Sequence, residues 1–348
     1  MRMRSRKGTT LAAMSVSAAM LLAGCGGGDE ATTSGASGGE SGGGESLAIT
    51  MLPKNLGNPY FDTSTAGAAS AAEEIGAEFE EVGPQEASAD AQVQYINTVA
   101  QQGRDALIVS ANDPEAICSA LEQARSVDVA VVTFDSDTNP ECRDVFVNQA
   151  TAEGIAKAQV DLIAEQIGDT GKIAVLSASA NATNQNTWIE LMQAELEANH
   201  PNIELVDVVY GDDDDQTSFD RTAALLQTHP DLAGIVSPTT VGIAAAARYL
   251  SDSPQAGQVA LTGLGTPNQL REYLADGTID AFALWNPEDL GYLATYAAQA
   301  VADGTITGAE GDTFEAGRLG EYTVGAEGEI VLGDPFVFNA ENIEQFDF

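Results

Sequence analysis

Lys54, Asp135 and the amide run Asn184-Gln185-Asn186 are the residues of this 348-residue chain whose types and settings best suit chemistry. Lys54 is one of four lysines, and it leads into Asn58, Tyr60 and Phe61 within PKNLGNPYF (53–61). A rare cation beside an amide and two aromatic rings makes a ligand wall that is part polar and part apolar; a surface lysine with two core aromatics is the plainer reading. Asp135, in TFDSD (133–137), carries a carboxylate that can accept two hydroxyl hydrogen bonds, or it caps a loop. Asn184, Gln185 and Asn186 offer donors and acceptors together, and one amide is accounted for as a helix cap. Pro238 and Thr240 lie in SPTTVG (237–242). Trp285 presents a flat face suited to the C–H surface of a sugar ring, against the alternative of a core or hinge tryptophan.

This inventory suits binding rather than bond breaking. The two histidines, His200 and His229, each precede a proline, a position pushed away from helical geometry and suited to a helix exit. There is no zinc spacing, no serine nucleophile elbow and no phosphate-cradling G-x-x-x-x-G-K. A carboxylate pair for glycoside hydrolysis is the one catalytic arrangement that spacing leaves open. No cofactor and no metal site are expected. The run Asp212–Asp215 lacks the Asp-x-Asp-x-Asp-Gly spacing of a calcium loop and reads as a solvated loop.

All these residues fall just after short apolar runs. Leu47–Leu52, Phe79–Val82, Ala106–Ser110 and Val129–Thr133 read as strands, separated by helix-length segments at 63–76, 89–101 and 114–125. The alternation restarts after Asn148, with strands at 173–176, 203–210, 235–237, 259–262 and 281–285. Strands separated by helices of 10–15 residues indicate βαβ units and parallel sheets, and ligands sit outside the carboxyl ends of such strands. The reading is an α/β fold of two doubly wound parallel-sheet lobes joined by a hinge. Lobe one is placed at about 47–148 plus 258–285, and lobe two at about 149–257 plus 286–338.

The N-terminus sets the compartment. Arg2, Arg4, Arg6 and Lys7 precede an apolar stretch that ends in Leu-Leu-Ala-Gly-Cys. This is a secretory signal over 1–25, with Cys25 resembling the acylated residue of a bacterial lipobox. Residues 26–46 are mostly Gly, Ser, Thr, Ala, Asp and Glu, a composition that cannot offset its ordering entropy and serves as a flexible tether. The expected location is the extracytoplasmic face of the membrane, lipid-anchored. Beyond the signal, 10 basic residues face 53 acidic ones, a net charge of −43. A surface of that sign repels nucleic acid phosphates and anionic headgroups. Cys118 and Cys142 remain as an even pair in an oxidising compartment: a disulfide or two buried thiols.

Residues 47–348 resemble the periplasmic-binding-protein type 1 domain of ABC importers, closest to the rhamnose-binding group and its sister, the autoinducer-2-binding group. The segments that carry the resemblance are KNLGNPYF (54–61), ANDPEAIC (111–118), FDSDTNPECR (134–143), TNQNTW (183–188), VYGDD (209–213), PTTVG (238–242), TGLGTP (262–267), WNPEDLGY (285–292) and the tail from Asp334. The autoinducer-2 pattern has a Lys, an Asp, an Asp-Gln pair, and a Pro and Ala one residue apart. Lys54, Asp135, Gln185 and Pro238 match it, whereas Asn184 and Thr240 depart from it and resemble the rhamnose group. The Cys118/Cys142 pair is also at home in the autoinducer-2 group. The resemblance implies a monomer that closes on a sugar and docks on a membrane permease, with L-rhamnose ahead of autoinducer-2 or ribose.

Overall fold

The computed structural model describes residues 46–348; the signal, Cys25 and all but the last residue of the tether lie outside the described residues. In chain order the first elements are β1 (Ala48–Leu52), α1 (Pro59–Ile75), β2 (Glu78–Glu81), α2 (Ala89–Gln102), β3 (Ala106–Val109), α3 (Cys118–Arg125), β4 (Ala130–Phe134) and β5 (Val145–Asn148). Then follow α4 (Ala152–Ile167), β6 (Gly171–Ser177), α5 (Thr183–Asn199), β7 (Ile203–Tyr210), α6 (Asp215–Thr228), β8 (Leu232–Ser237) and α7 (Thr240–Ser251). The last third holds β9 (Ala260–Gly263), α8 (Pro267–Ala275), β10 (Ala281–Leu284), α9 (Pro287–Ala302), β11 (Thr313–Glu315), β12 (Glu321–Thr323), β13 (Glu329–Val331) and β14 (Phe336–Asn339).

Two parallel sheets result. The first runs β13-β5-β4-β3-β1-β2 and the second β7-β6-β8-β9; a bridge from Leu264 to Ala283 continues the second into β10, which pairs antiparallel with β14. The central strands β3 and β4 are buried at every residue, as expected where helices cover both faces. On one face of the first sheet Ile49, Met51, Ile108 and Val132 pack with α1 and α9. On the other, Leu52, Leu107, Val109 and Val131 form a separate cluster with α2 and α3.

The sheets correct the expected lobe boundaries. Segment 258–285 belongs to lobe two, because β9 hydrogen-bonds to β8 and β10 continues that sheet. Segment 286–331 belongs to lobe one, because α9 packs on α1 and β13 pairs with β5. The chain then returns to lobe two at β14. A strand–helix alternation specifies elements but carries no mark of which open sheet edge receives each strand. The three crossovers lie at 149–151, 285–286 and 332–335.

Helices α1 and α9 lie unusually close. A Cβ on Gly67 would run into the Glu288 carbonyl, and one on Gly291 into the Ser64 carbonyl. Gly67→Ala is therefore expected to cost about 1–3 kcal/mol through overpacking, read as a lower midpoint in denaturant unfolding; an unchanged midpoint refutes this. Cys118, which opens α3, is disulfide-bonded to Cys142 with a Cα–Cα distance of 5.3 Å. Closing a loop with a sequence separation of 24 stabilises the fold by about 3–4 kcal/mol in the chain-entropy model. Among the described residues no helix is long and apolar enough to cross a membrane.

Candidate functional site

The carboxyl ends of both sheets face one cleft between the lobes. β1 delivers Lys54, only 5% exposed. Asn58 caps α1: its Oδ1 accepts from the Tyr60 N–H at 3.1 Å, and Pro59 fills the first helical position, where a missing N–H is tolerated. That start aims Tyr60 and Phe61 inward, both buried. β4 delivers Asp135 in a left-handed turn at φ 60°, a conformation Asp adopts more readily than most residues.

Asp135 is the hub. Its Oδ1 accepts from the Tyr60 hydroxyl at 3.0 Å and its Oδ2 from Ser110 Oγ at 2.8 Å, while Lys54 Nζ lies 3.8 Å from Oδ2. The Trp285 indole N–H donates to the Tyr60 oxygen at 2.9 Å. Burial, reinforced by the Asp135 charge, raises the Tyr60 phenol well above its ordinary range, so its proton stays available to donate. The rings form a wall: Tyr60 stands edge-on to Phe61 at 5.1 Å and to Trp285 at 6.1 Å, and Trp285 meets Trp188 at 6.1 Å.

Lobe two contributes the start of α5. Asn184 Oδ1 accepts from Lys54 Nζ at 3.4 Å and from the Gln185 N–H at 2.9 Å, and its Nδ2 donates to the Asp135 carbonyl at 3.4 Å. One amide thus spans the cleft. Gln185 donates from Nε2 to the Pro238 carbonyl at 3.2 Å, while its Oε1 is buried without a partner, an acceptor left over for a ligand hydroxyl. Pro238 and Thr240 line the same wall.

Asn186 is corrected. It does not line the cleft and instead donates to the Ala180 carbonyl at 2.9 Å, because successive residues of a helix turn by about 100°. The residue that shares a face with Asn184 is four positions on: Trp188 does line the cleft, a signal present in the helical period. Leu264 and Leu284, at the ends of β9 and β10, add apolar wall.

The acidic run 212–215 also departs from the expected solvated loop. Asp214 caps α6, accepting from the Thr217 N–H at 2.7 Å, and Asp215 pairs with Arg248. Asp213, however, stands at φ 50° with its carboxylate in the cleft, accepting from the Thr239 hydroxyl at 2.5 Å. Burial raises its pKa above the ordinary carboxylate value, outweighing the opposing Thr239 hydrogen bond and Lys54 charge; Asp135 and Asp212 add to the rise. Among the described lining residues, Lys54 is the one cation facing Asp135 and Asp213. That balance disfavours anionic ligands. The acid–imidazole cluster of Asp161, Glu195 and His200 lies apart from the cleft, and Lys157 already pairs with both of its carboxylates.

Fold and cleft together define a two-lobed binding protein for a small polar solute. Residues 49–306 match the family model of the periplasmic binding protein domain, and the chain belongs to that family, among its sugar ABC transporter substrate-binding proteins. A sugar ABC transporter structure from Actinomyces odontolyticus is 51% identical, with 87% of this chain and 98% of that one covered and a TM-score of 0.72. An ABC transporter solute-binding protein from Clostridium phytofermentas, solved with bound L-rhamnose, is 38% identical over 86% of this chain and 98% of that one, at a TM-score of 0.83. LsrB from Clostridium saccharobutylicum, in complex with AI-2, is 25% identical over 87% and 100%, also at 0.83.

Proposed function

We propose that this protein is the lipid-anchored, extracytoplasmic substrate-binding component of an ABC importer, and that its ligand is L-rhamnose. The sugar enters between the open lobes, touches both, and so favours the closed state, which then docks on a membrane permease. The observation that carries this reading is the set of polar groups converging on one cleft beside an aromatic wall. Asp135 and Asp213 accept from ring hydroxyls, Gln185 Oε1 accepts one more, and Lys54 and Asn184 donate. The rings of Tyr60, Phe61, Trp188 and Trp285 cover the apolar face and methyl group. The 38% identical relative with bound L-rhamnose supports the choice of sugar.

A second reading is autoinducer-2 uptake. Asn184 replaces a carboxylate of that pattern, but Asp213 returns one to lobe two from a different element. Calorimetry on the purified protein with L-rhamnose, ribose and autoinducer-2 decides between them. The expected result is L-rhamnose bound at least about tenfold more tightly than either competitor, a difference of about 1.4 kcal/mol; tighter binding of autoinducer-2 transfers the assignment to signal uptake. Metabolic labelling with palmitate tests the anchor: label on the wild type that disappears in Cys25→Ser supports it, and label that persists rejects it.

A further inference from the structure

The central cleft does not end at Asp135, Asn184 and Trp188. These three residues also border a second, open-sided chamber of about 180 Å³, walled further by Phe146, Gln149, Thr183 and Thr187. Gln149 sits on the first crossover and is fully buried, yet neither its Oε1 nor its Nε2 has a partner. Leaving a buried polar group unpaired costs about 1–3 kcal/mol, a cost that a leucine or methionine of similar size would avoid. The first two turns of α5 border the same chamber through Thr183 and Thr187, and the cap position, Ala182, supplies no side-chain acceptor. Asn184 Oδ1 meets the Gln185 N–H, which leaves the Thr183 and Asn184 N–H groups at the helix start without a side-chain cap.

These groups ask for a neutral, oxygen-rich partner. Gln149 offers one acceptor and one amide donor group, which matches a hydroxyl that both gives and takes a hydrogen bond. An anion is disfavoured by Asp135 at the border. Asp137, also on the wall, has its carboxylate committed to Arg143 through contacts of 2.6 and 2.7 Å. Phe146 and Trp188 supply apolar surface for the C–H face of a ring.

We propose that this chamber is a second subsite that takes a hydroxylated substituent carried by the ligand, so that the protein binds a rhamnoside or rhamnose-containing disaccharide as well as the free sugar. The inference rests on the sugar-binding reading above. Gln149 holds a hydroxyl of the substituent, and Trp188 serves both subsites.

The test is calorimetry on the full protein with L-rhamnose, methyl α-L-rhamnoside and a rhamnosyl-rhamnose disaccharide. Gln149→Met keeps the volume but removes the amide, and Thr187→Trp fills the chamber from its exposed rim. The expected result is wild-type affinity for the disaccharide equal to or above that for rhamnose. Each variant then weakens the disaccharide about tenfold or more and changes rhamnose less than twofold. Rhamnose binding with rejection of both substituted sugars, or an unchanged disaccharide-to-rhamnose ratio in both variants, overturns the subsite and leaves the chamber to solvent. Disaccharide binding that is lost in Gln149→Met, with no binding of free rhamnose, keeps the subsite and rejects the monosaccharide reading. No binding of either sugar rejects both.

Discussion

Asp135→Asn is expected to weaken ligand binding at least about 100-fold while leaving the fold assembled. The left-handed backbone at φ 60° tolerates Asn almost as well as Asp, so the substitution tests charge rather than conformation. The wild-type carboxylate accepts from Tyr60 and Ser110 and faces the Lys54 ammonium, with both side chains under one-tenth exposed. Asn keeps one acceptor oxygen and replaces the other with a donor group directed at donors. Removing one partner of a buried ion pair costs about 3–5 kcal/mol, because the other charge stays buried and uncompensated. The closed form carries this cost in full; the open form relieves it by hydrating Lys54. The loss therefore appears as weaker binding. Calorimetry reads the affinity and thermal unfolding of the ligand-free protein reads the fold. An affinity within threefold of wild type removes Asp135 from the site.

Asp213→Asn should separate affinity from stability, with the two moving in opposite directions. The ionised carboxylate accepts ligand hydroxyls, and hydrogen bonds to a charged group contribute about 1.5–3 kcal/mol, so affinity falls about tenfold or more. The folded protein raises the Asp213 pKa, which means it binds that proton more tightly than the unfolded chain does. Between the unfolded and folded values the native state holds more protons, so stability falls as pH rises through that window, and ionised Asp213 is a net cost at neutral pH. The Asn variant lacks this cost and should melt higher than wild type at pH 7, with the gap closing in acid, below the ordinary carboxylate value. Ligand binding by wild type should weaken as pH drops through the raised pKa, and the variant should lose that part of the pH dependence. Lys54, Asp135 and Asp212 also act on Asp213, and wild type minus variant isolates the part that belongs to Asp213 itself. A variant less stable than wild type at pH 7 contradicts the burial argument.

Much of the cleft was legible in short stretches of sequence. In a parallel sheet every strand brings its carboxyl end to the same side, so a local pattern sufficed to find Lys54, Asn58, Tyr60, Phe61, Asp135, Gln185, Pro238, Thr240 and Trp285. The cleft receives each of them, with Asn184 beside Gln185. Asn186 was misplaced for a reason that is also local: three consecutive amides look equivalent in sequence, but a helix spreads them round its axis, and the position that returns to the cleft is Trp188. Leu264 and Leu284 looked like any apolar strand residues, because nothing local distinguishes a core wall from a ligand wall.

The run 212–215 shows where local reading ends. Identical side chains take different roles: the link from β7 to α6 passes through left-handed backbone at Asp212 and Asp213, Asp213 enters the cleft, and Asp214 caps the α6 N-terminus. The sequence by itself determined the elements, their alternation, their capped starts and the side on which chemistry gathers, since periodicity and caps act over a few residues. Only the tertiary structure decided that β9 and β10 extend the second sheet while α9 returns to the first. Which edge a strand joins depends on hydrogen bonds and buried area shared with residues far away in the chain, and no local pattern encodes them.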